Sequence, residues 1–151
     1  MLVLLLIIGM MDSKAENILD HKHISPTPMR QLVLEILLNK KSAVSINEIE
    51  KTLYPADRIT IYRTLKTFEQ KGLVHKIEDG NSSLKYALCH DDCDDEEHHD
   101  IHVHFSCRQC KETFCLPKTQ IPSISLPQEY QPEEISLTVK GVCKDCQPTM
   151  Q

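Results

Sequence analysis

The chain has 151 residues, enough for one ordinary domain or two small ones. A formal net charge of -5 excludes a uniformly basic nucleic-acid binder, but the charge is divided: residues 12–86 carry 12 Lys+Arg against 10 Asp+Glu, and residues 87–151 carry 5 against 12. Such a division suits a protein of which only the front part meets an anionic partner, and seven cysteines, four of them in two C-x-x-C pairs, argue for metal binding in a reducing, cytoplasmic setting and against a secreted disulfide scaffold.

Residues 2–8 (LVLLLII) are apolar but too few to span a bilayer. No basic residue precedes them and no small-residue cleavage site follows, so neither a membrane partner nor a signal peptide is expected. The natural start is expected at Met10 or Met11, with residues 1–24 a flexible polar lead-in.

The first strong helix opens at Thr27-Pro28, a cap followed by proline at the first helical position, and carries Leu32, Val33, Ile36 and Leu37 at helical spacing. A second begins at Ser45, with Glu48 completing an S-x-x-E capping box and Ile46, Ile49 and Leu53 on one face. A third runs over about 58–71 with Ile61, Leu65 and Phe68 in register, and Gly72 stops it. Alternating strands at 73–78 and 84–89 around Asp79-Gly80-Asn81 read as a hairpin. Three short helices and a hairpin make a winged helix-turn-helix over residues 25–88. Residues 89–100 are rich in Asp, Glu, His and Cys and read as a hinge. Strands are expected at 101–106, 112–116 and 135–142, and prolines 117, 122, 127 and 132 keep any helix between them short. The expected class is α+β: a winged helix followed by a small α/β domain at 101–151.

Three constellations carry chemistry. Cys107-x2-Cys110 and Cys143-x2-Cys146 supply two C-x-x-C turns, which together close a tetrahedral four-sulfur shell with no open position, a structural zinc site. The second half of the chain is poor in apolar residues, so metal must contribute to its folding. On the third helix, Thr60, Tyr62, Arg63 and Lys66 lie opposite the apolar face, where they can reach phosphates and base edges. Finally, His75, Cys89, His102 and His104 form a second ligand set: His102 and His104 share one face of a strand, and His75 and Cys89 sit at the base of the hairpin. His90, Cys93, His98 and His99 are alternative donors, and Cys115, a strand residue with no assigned partner, can also enter the set.

These residues together resemble the ferric uptake regulator superfamily of metal-sensing repressors. The matching stretches are Thr27-Pro-Met-Arg30, RITIYRTLKTFEQKGLV over 58–74, HVHFSCRQC over 102–110 and GVCKDC over 141–146. The resemblance implies a homodimer whose winged helices bind a palindromic double-stranded DNA operator, with Arg30 and Arg58 joining the third-helix residues as DNA contacts, and a dimerisation domain holding the structural zinc. Among the branches, the chain looks most like the zinc uptake regulators, which place a Cys where Cys89 stands. In the iron-sensing branch an early His ligand falls near Ala43, a Glu in the hairpin near Ala87 and a later Glu at Cys115.

The resulting expectation is a zinc-responsive repressor, not an enzyme, with no small-molecule substrate beyond the metal ion. Metal held between hairpin and hinge would fix the spacing of the two DNA-binding domains by population shift. An iron or peroxide sensor using His98 and His99 is the rival within the family. A zinc metalloenzyme would need Glu96 or Glu97 as a base, in a stretch without pocket-forming residues.

Overall fold

In the computed structural model the described residues are 14–80, 83–89 and 102–148. Residues 14–21 form a helix, α1, in place of the expected flexible lead-in. Ala15 and Leu19 are fully buried and Ile18 packs beside them. These three sit at i, i+3 and i+4, a short apolar stripe diluted by five polar neighbours. The helix ends as His23 turns left-handed (φ 54°) and the Ile24 N–H donates to the Leu19 carbonyl. The expected start site falls outside the described residues.

Helix α2, Pro28–Asn39, starts as its sequence predicts, with the Thr27 hydroxyl accepting from the Arg30 N–H. Its buried face is Val33, Leu34 and Leu37, while Leu32 is 45% exposed, so the inward stripe is rotated from the one expected. The two-residue strand β1, Val44–Ser45, leads into α3, Ile46–Thr52, whose capping box is complete: Ser45 accepts from the Glu48 N–H and Glu48 accepts from the Ser45 N–H. Helix α4, Arg58–Gln70, is capped by Asp57 and buries Ile61, Thr64, Leu65 and Phe68. Gly72 takes φ 64°, the left-handed turn that ends the helix. Strands β2, Val74–Ile77, and β3, Lys85–Leu88, pair antiparallel, with β1 on the far side of β3. Helices α2 and α3 pack on α4, and one apolar core joins all four helices to the hairpin.

A second sheet follows, order β5-β4-β6, from β4 (Val103–Cys107), β5 (Thr113–Leu116) and β6 (Leu137–Gly141). Strand β4 pairs antiparallel with β5 and parallel with β6. A parallel connection normally carries a helix, yet residues 117–136 contain none. Their prolines remove backbone donors at four places, so among the described residues the second unit consists of strands and irregular chain. The molecule is thus α+β, an N-terminal winged helix followed by a small strand domain.

Candidate metal centres and nucleic-acid interface

The four cysteines meet because β6 lies parallel to β4. The Cys107↔Gly141 register sets Cys143 beside the end of β4, and Lys111, at φ 63°, turns the chain from the Cys107–Cys110 knuckle back toward β5. One ligand atom from each of Cys107, Cys110, Cys143 and Cys146 falls within 4.8 Å of the other three. Cys110 Sγ and Cys143 Sγ are 3.8 Å apart, and a Zn–S bond of about 2.3 Å gives a tetrahedral S–S edge of roughly 3.8 Å. The residues fit the ion. The Cys143 N–H donates to Cys107 Sγ at 3.3 Å. That bond, aided against burial by the N–H groups of Cys110 and Gln109, pulls the Cys107 thiol down to about 6. Cys146 is pushed up to about 12, first by sharing a proton with the Cys143 sulfur, then by burial. Four sulfurs this close cannot all ionise until a cation joins them.

The second cluster bridges the two units. The ligand atoms of His75 on β2, His102 and His104 at the start of the second sheet, and Cys115 on β5 all lie within 4.8 Å of one another. Cross-strand pairing places Cys115 directly opposite His104, and His102 is two residues from His104 on the same face. His75 Nε2 is 3.2 Å from His104 Nε2 and 3.5 Å from Cys115 Sγ. Tetrahedral zinc with Zn–N of about 2.0–2.1 Å implies N–N and N–S edges of roughly 3.3 and 3.6 Å. Here too the residues fit. His102 and His104 are buried, and the cluster opens on a cleft of about 670 Å³ lined also by Glu69, Glu78, Glu133 and Glu134.

Of the expected set, the structure brings His75, His102 and His104 together, with Cys115 and not Cys89 as the fourth member of the group. Cys89 Sγ lies 3.6 Å from His75 Nδ1, whereas His104 and Cys115 approach Nε2 of the same ring. One imidazole cannot offer both nitrogens to one ion, and it is Nε2 of His75 that approaches His104 and Cys115. The hairpin register explains this: the Cys89 N–H pairs with the Leu73 carbonyl beyond the end of β3, which leaves its side chain diagonal to His75. The signal for Cys115 was its phase on β5, two-fold with His104 across the ladder. His90, Cys93, Glu96, Glu97, His98 and His99 lie outside the described residues.

On α4, Tyr62 is 46% exposed, and Arg63 and Lys66 stand on the same solvent face. Thr60 is exposed, with its hydroxyl donating to the Asp57 cap at 2.9 Å. Arg58 ties α4 to α3 through Glu50 at 2.8 Å and Asn47 at 2.7 Å, and Arg30 donates to the Ser25 carbonyl at 2.7 Å. Ile59, 60% exposed, is a member of this face that the sequence reading missed. It stands three residues before Tyr62, and an apolar side chain there suits a thymine methyl.

A winged helix with an exposed basic recognition face and two His/Cys metal clusters defines a DNA-binding metalloregulator. The Ferric uptake regulator family profile matches residues 21–139, and the chain belongs to that family of metal-responsive transcriptional repressors. The peroxide-responsive repressor PerR of Staphylococcus aureus (strain USA300) is 29% identical over 129 residues, 80% of this chain and 81% of that protein. Among solved structures, a zinc uptake regulator complexed with zinc and DNA matches 91% of this chain and 93% of its own at TM-score 0.61 and 20% identity. The Vibrio cholerae ferric uptake regulator matches 85% and 98% at TM-score 0.55 and 20% identity. Both likenesses are of fold. Among the described residues no helix is long and apolar enough to cross a membrane.

Proposed function

We propose that the chain is a zinc-responsive repressor that binds operator DNA as a homodimer, with Cys107, Cys110, Cys143 and Cys146 holding a structural zinc and His75, His102, His104 and Cys115 holding the sensed one. The observation that carries this is the bridging cluster: three imidazoles and a thiol at tetrahedral zinc spacing, one from the wing and three from the strand unit. A thiol favours zinc over ferrous iron. Bringing His75 to the same ion as His104 and Cys115 removes freedom between the two units and fixes α4 relative to the dimer core. A differential affinity of a few kcal/mol is enough to switch operator occupancy. The second copy is suggested by exposed apolar side chains on the strand unit, among them Leu126, Tyr130, Val139 and Val142, and by the open edge of β6. DNA would meet Tyr62, Arg63 and Lys66, with Arg30, Arg58 and Thr60 at the margins.

Titration of operator binding with zinc and with ferrous iron, at fixed salt, tests this reading. Tight binding only with zinc supports it, and equal affinity with and without zinc refutes it. The 29% identity to a peroxide-responsive repressor favours one second reading, an iron-loaded peroxide sensor. Oxygen added to His75, His102 or His104 on peroxide treatment of the iron form, seen by peptide mass spectrometry, would establish that alternative.

A further inference from the structure

The wing turns its described tip toward the strand unit. Asp79 is 1% exposed, Lys85 7% and Thr113 0%. The Lys85 ammonium has three donors, and three acceptors face it: Asp79 Oδ2 at 3.0 Å, the Lys111 carbonyl at 2.6 Å and Thr113 Oγ1 at 3.0 Å. The Thr113 hydroxyl donates in turn to Asp79. Around this triad the contact continues. The Ala43 N–H donates to the Thr113 carbonyl at 2.8 Å, Ser42 donates to Glu112, and Lys40 pairs with Glu112 at 3.3 Å. A Cβ on Gly80, which has φ +75°, would stand 2.5 Å from Lys140 Nζ on β6.

Burying an ion pair costs desolvation that only full hydrogen bonding offsets, and the pair then has one satisfactory geometry. A nonspecific apolar contact could slide; this one cannot without stranding a charge. The acceptors at 111–113 follow directly on the Cys107–Cys110 knuckle, so the strand unit presents them from its metal-braced end.

We propose that the wing is a docking arm, and that Asp79, Lys85 and Thr113 are positioning residues that latch it to the strand unit and so set the separation of the two recognition helices of the dimer. This rests on the DNA-binding reading above and is separable from it. It lies outside the bridging metal cluster, none of whose residues takes part.

The test uses the full-length, zinc-saturated protein. Amide exchange at Ala43, followed by NMR, reports the latch directly. Operator affinity and preferred half-site spacing are measured with duplexes selected from a random pool by the wild type, then re-selected by each variant. Thr113→Val should speed Ala43 exchange, weaken operator binding by about tenfold and broaden the accepted half-site spacing, with zinc per chain and dimerisation unchanged. Thr113→Ser, which keeps the hydroxyl, should restore all three. Lys85→Met should act like Thr113→Val. Wild-type exchange rates at Ala43 in Thr113→Val, or altered exchange with unaltered affinity and spacing, would overturn the proposal. If the wild type binds no duplex with any metal, the DNA-binding reading fails, and the positioning role falls with it whatever Ala43 does.

Discussion

In the winged-helix unit Val33, Leu34, Ile49, Ile61, Leu65 and Phe68 are fully or almost fully buried in one core, joined by Leu19 from α1 and Tyr86 from the wing. Among the described residues of the strand unit, the buried hydrophobic positions are Val103, Cys107 and Cys143, and the other buried side chains are His102, His104, Ser106 and Thr113. Two of those three hydrophobic positions are metal-site sulfurs. The first unit can therefore fold on apolar burial, whereas the second exchanges a core for thiolates, imidazoles and hydroxyls that need partners. On the proposed reading metal would have two roles: one ion would brace the strand unit, and the other would join it to the wing.

The largest effect should come from Cys143→Ser, which removes one of the four clustered sulfurs, itself buried, and keeps the backbone N–H that donates to Cys107. Structural zinc contributes about 10–16 kcal/mol in small zinc domains, more than a strand unit with so little apolar core can replace. The strand unit should lose its zinc and its protection from proteolysis, while helical circular dichroism from α2–α4 persists. Simultaneous melting of both units would show that the winged helix depends on the strand unit for its stability.

Phe68→Ala breaks the other side of the comparison. It empties a fully buried site on α4 and should cost about 3–5 kcal/mol. Chemical denaturation of the zinc-loaded protein should show a lowered helical transition, with zinc still bound to the four cysteines.

Cys115→Ala and Cys89→Ala sharpen the role of the bridging site. With two ions per wild-type chain, Cys115→Ala should leave one and Cys89→Ala should leave both. The stabilisation that excess zinc supplies, about 3–4 kcal/mol at 100 to 1,000 times the dissociation constant, should vanish in the first variant and persist in the second. Elemental analysis with a zinc-dependent melting curve checks both, and the opposite pattern would return Cys89 to the coordinating set.

What the sequence disclosed follows the same division. The elements of the winged helix were legible because they rest on local rules: the Thr27-Pro28 start, the Ser45–Glu48 box, the Gly72 stop and the Ile61, Leu65, Phe68 stripe. The four cysteines were legible from spacing. Helix α1 was not, because its stripe is only Ala15, Ile18 and Leu19 and its burial depends on a groove built later in the chain. The grouping of Cys115 rather than Cys89 with the three histidines depends on the rotamer of His75 and on the pairing of β4 with β5, neither of which residue spacing gives. The Asp79–Lys85–Thr113 contact joins residues 34 positions apart with no spacing rule to announce it.

The smallest effect tests the first unit's reliance on local signals. Ser45→Ala removes one half of the capping box and should cost about 1 kcal/mol. Its other half is pH-dependent. Burial alone would raise the Glu48 carboxyl, but Lys40 and the Ser45 N–H and hydroxyl outweigh it and hold the carboxyl below its usual value. A depressed folded-state pKa means the stabilisation is fully present above the unfolded carboxylate pKa and is lost as pH falls through the folded one. Lys40, raised by the same pair against the opposing effect of burial, keeps its contribution until strongly alkaline pH. Glu48→Gln preserves the shape of the cap while removing the charge. The stability gap between wild type and Glu48→Gln should therefore be constant from about pH 6 to 8 and close below about pH 4. Because the Glu48 side chain is 41% exposed, the gap should also shrink with added salt. A gap that survives acid would mean that the cap's hydrogen bonds, not the Lys40 charge, carry the interaction.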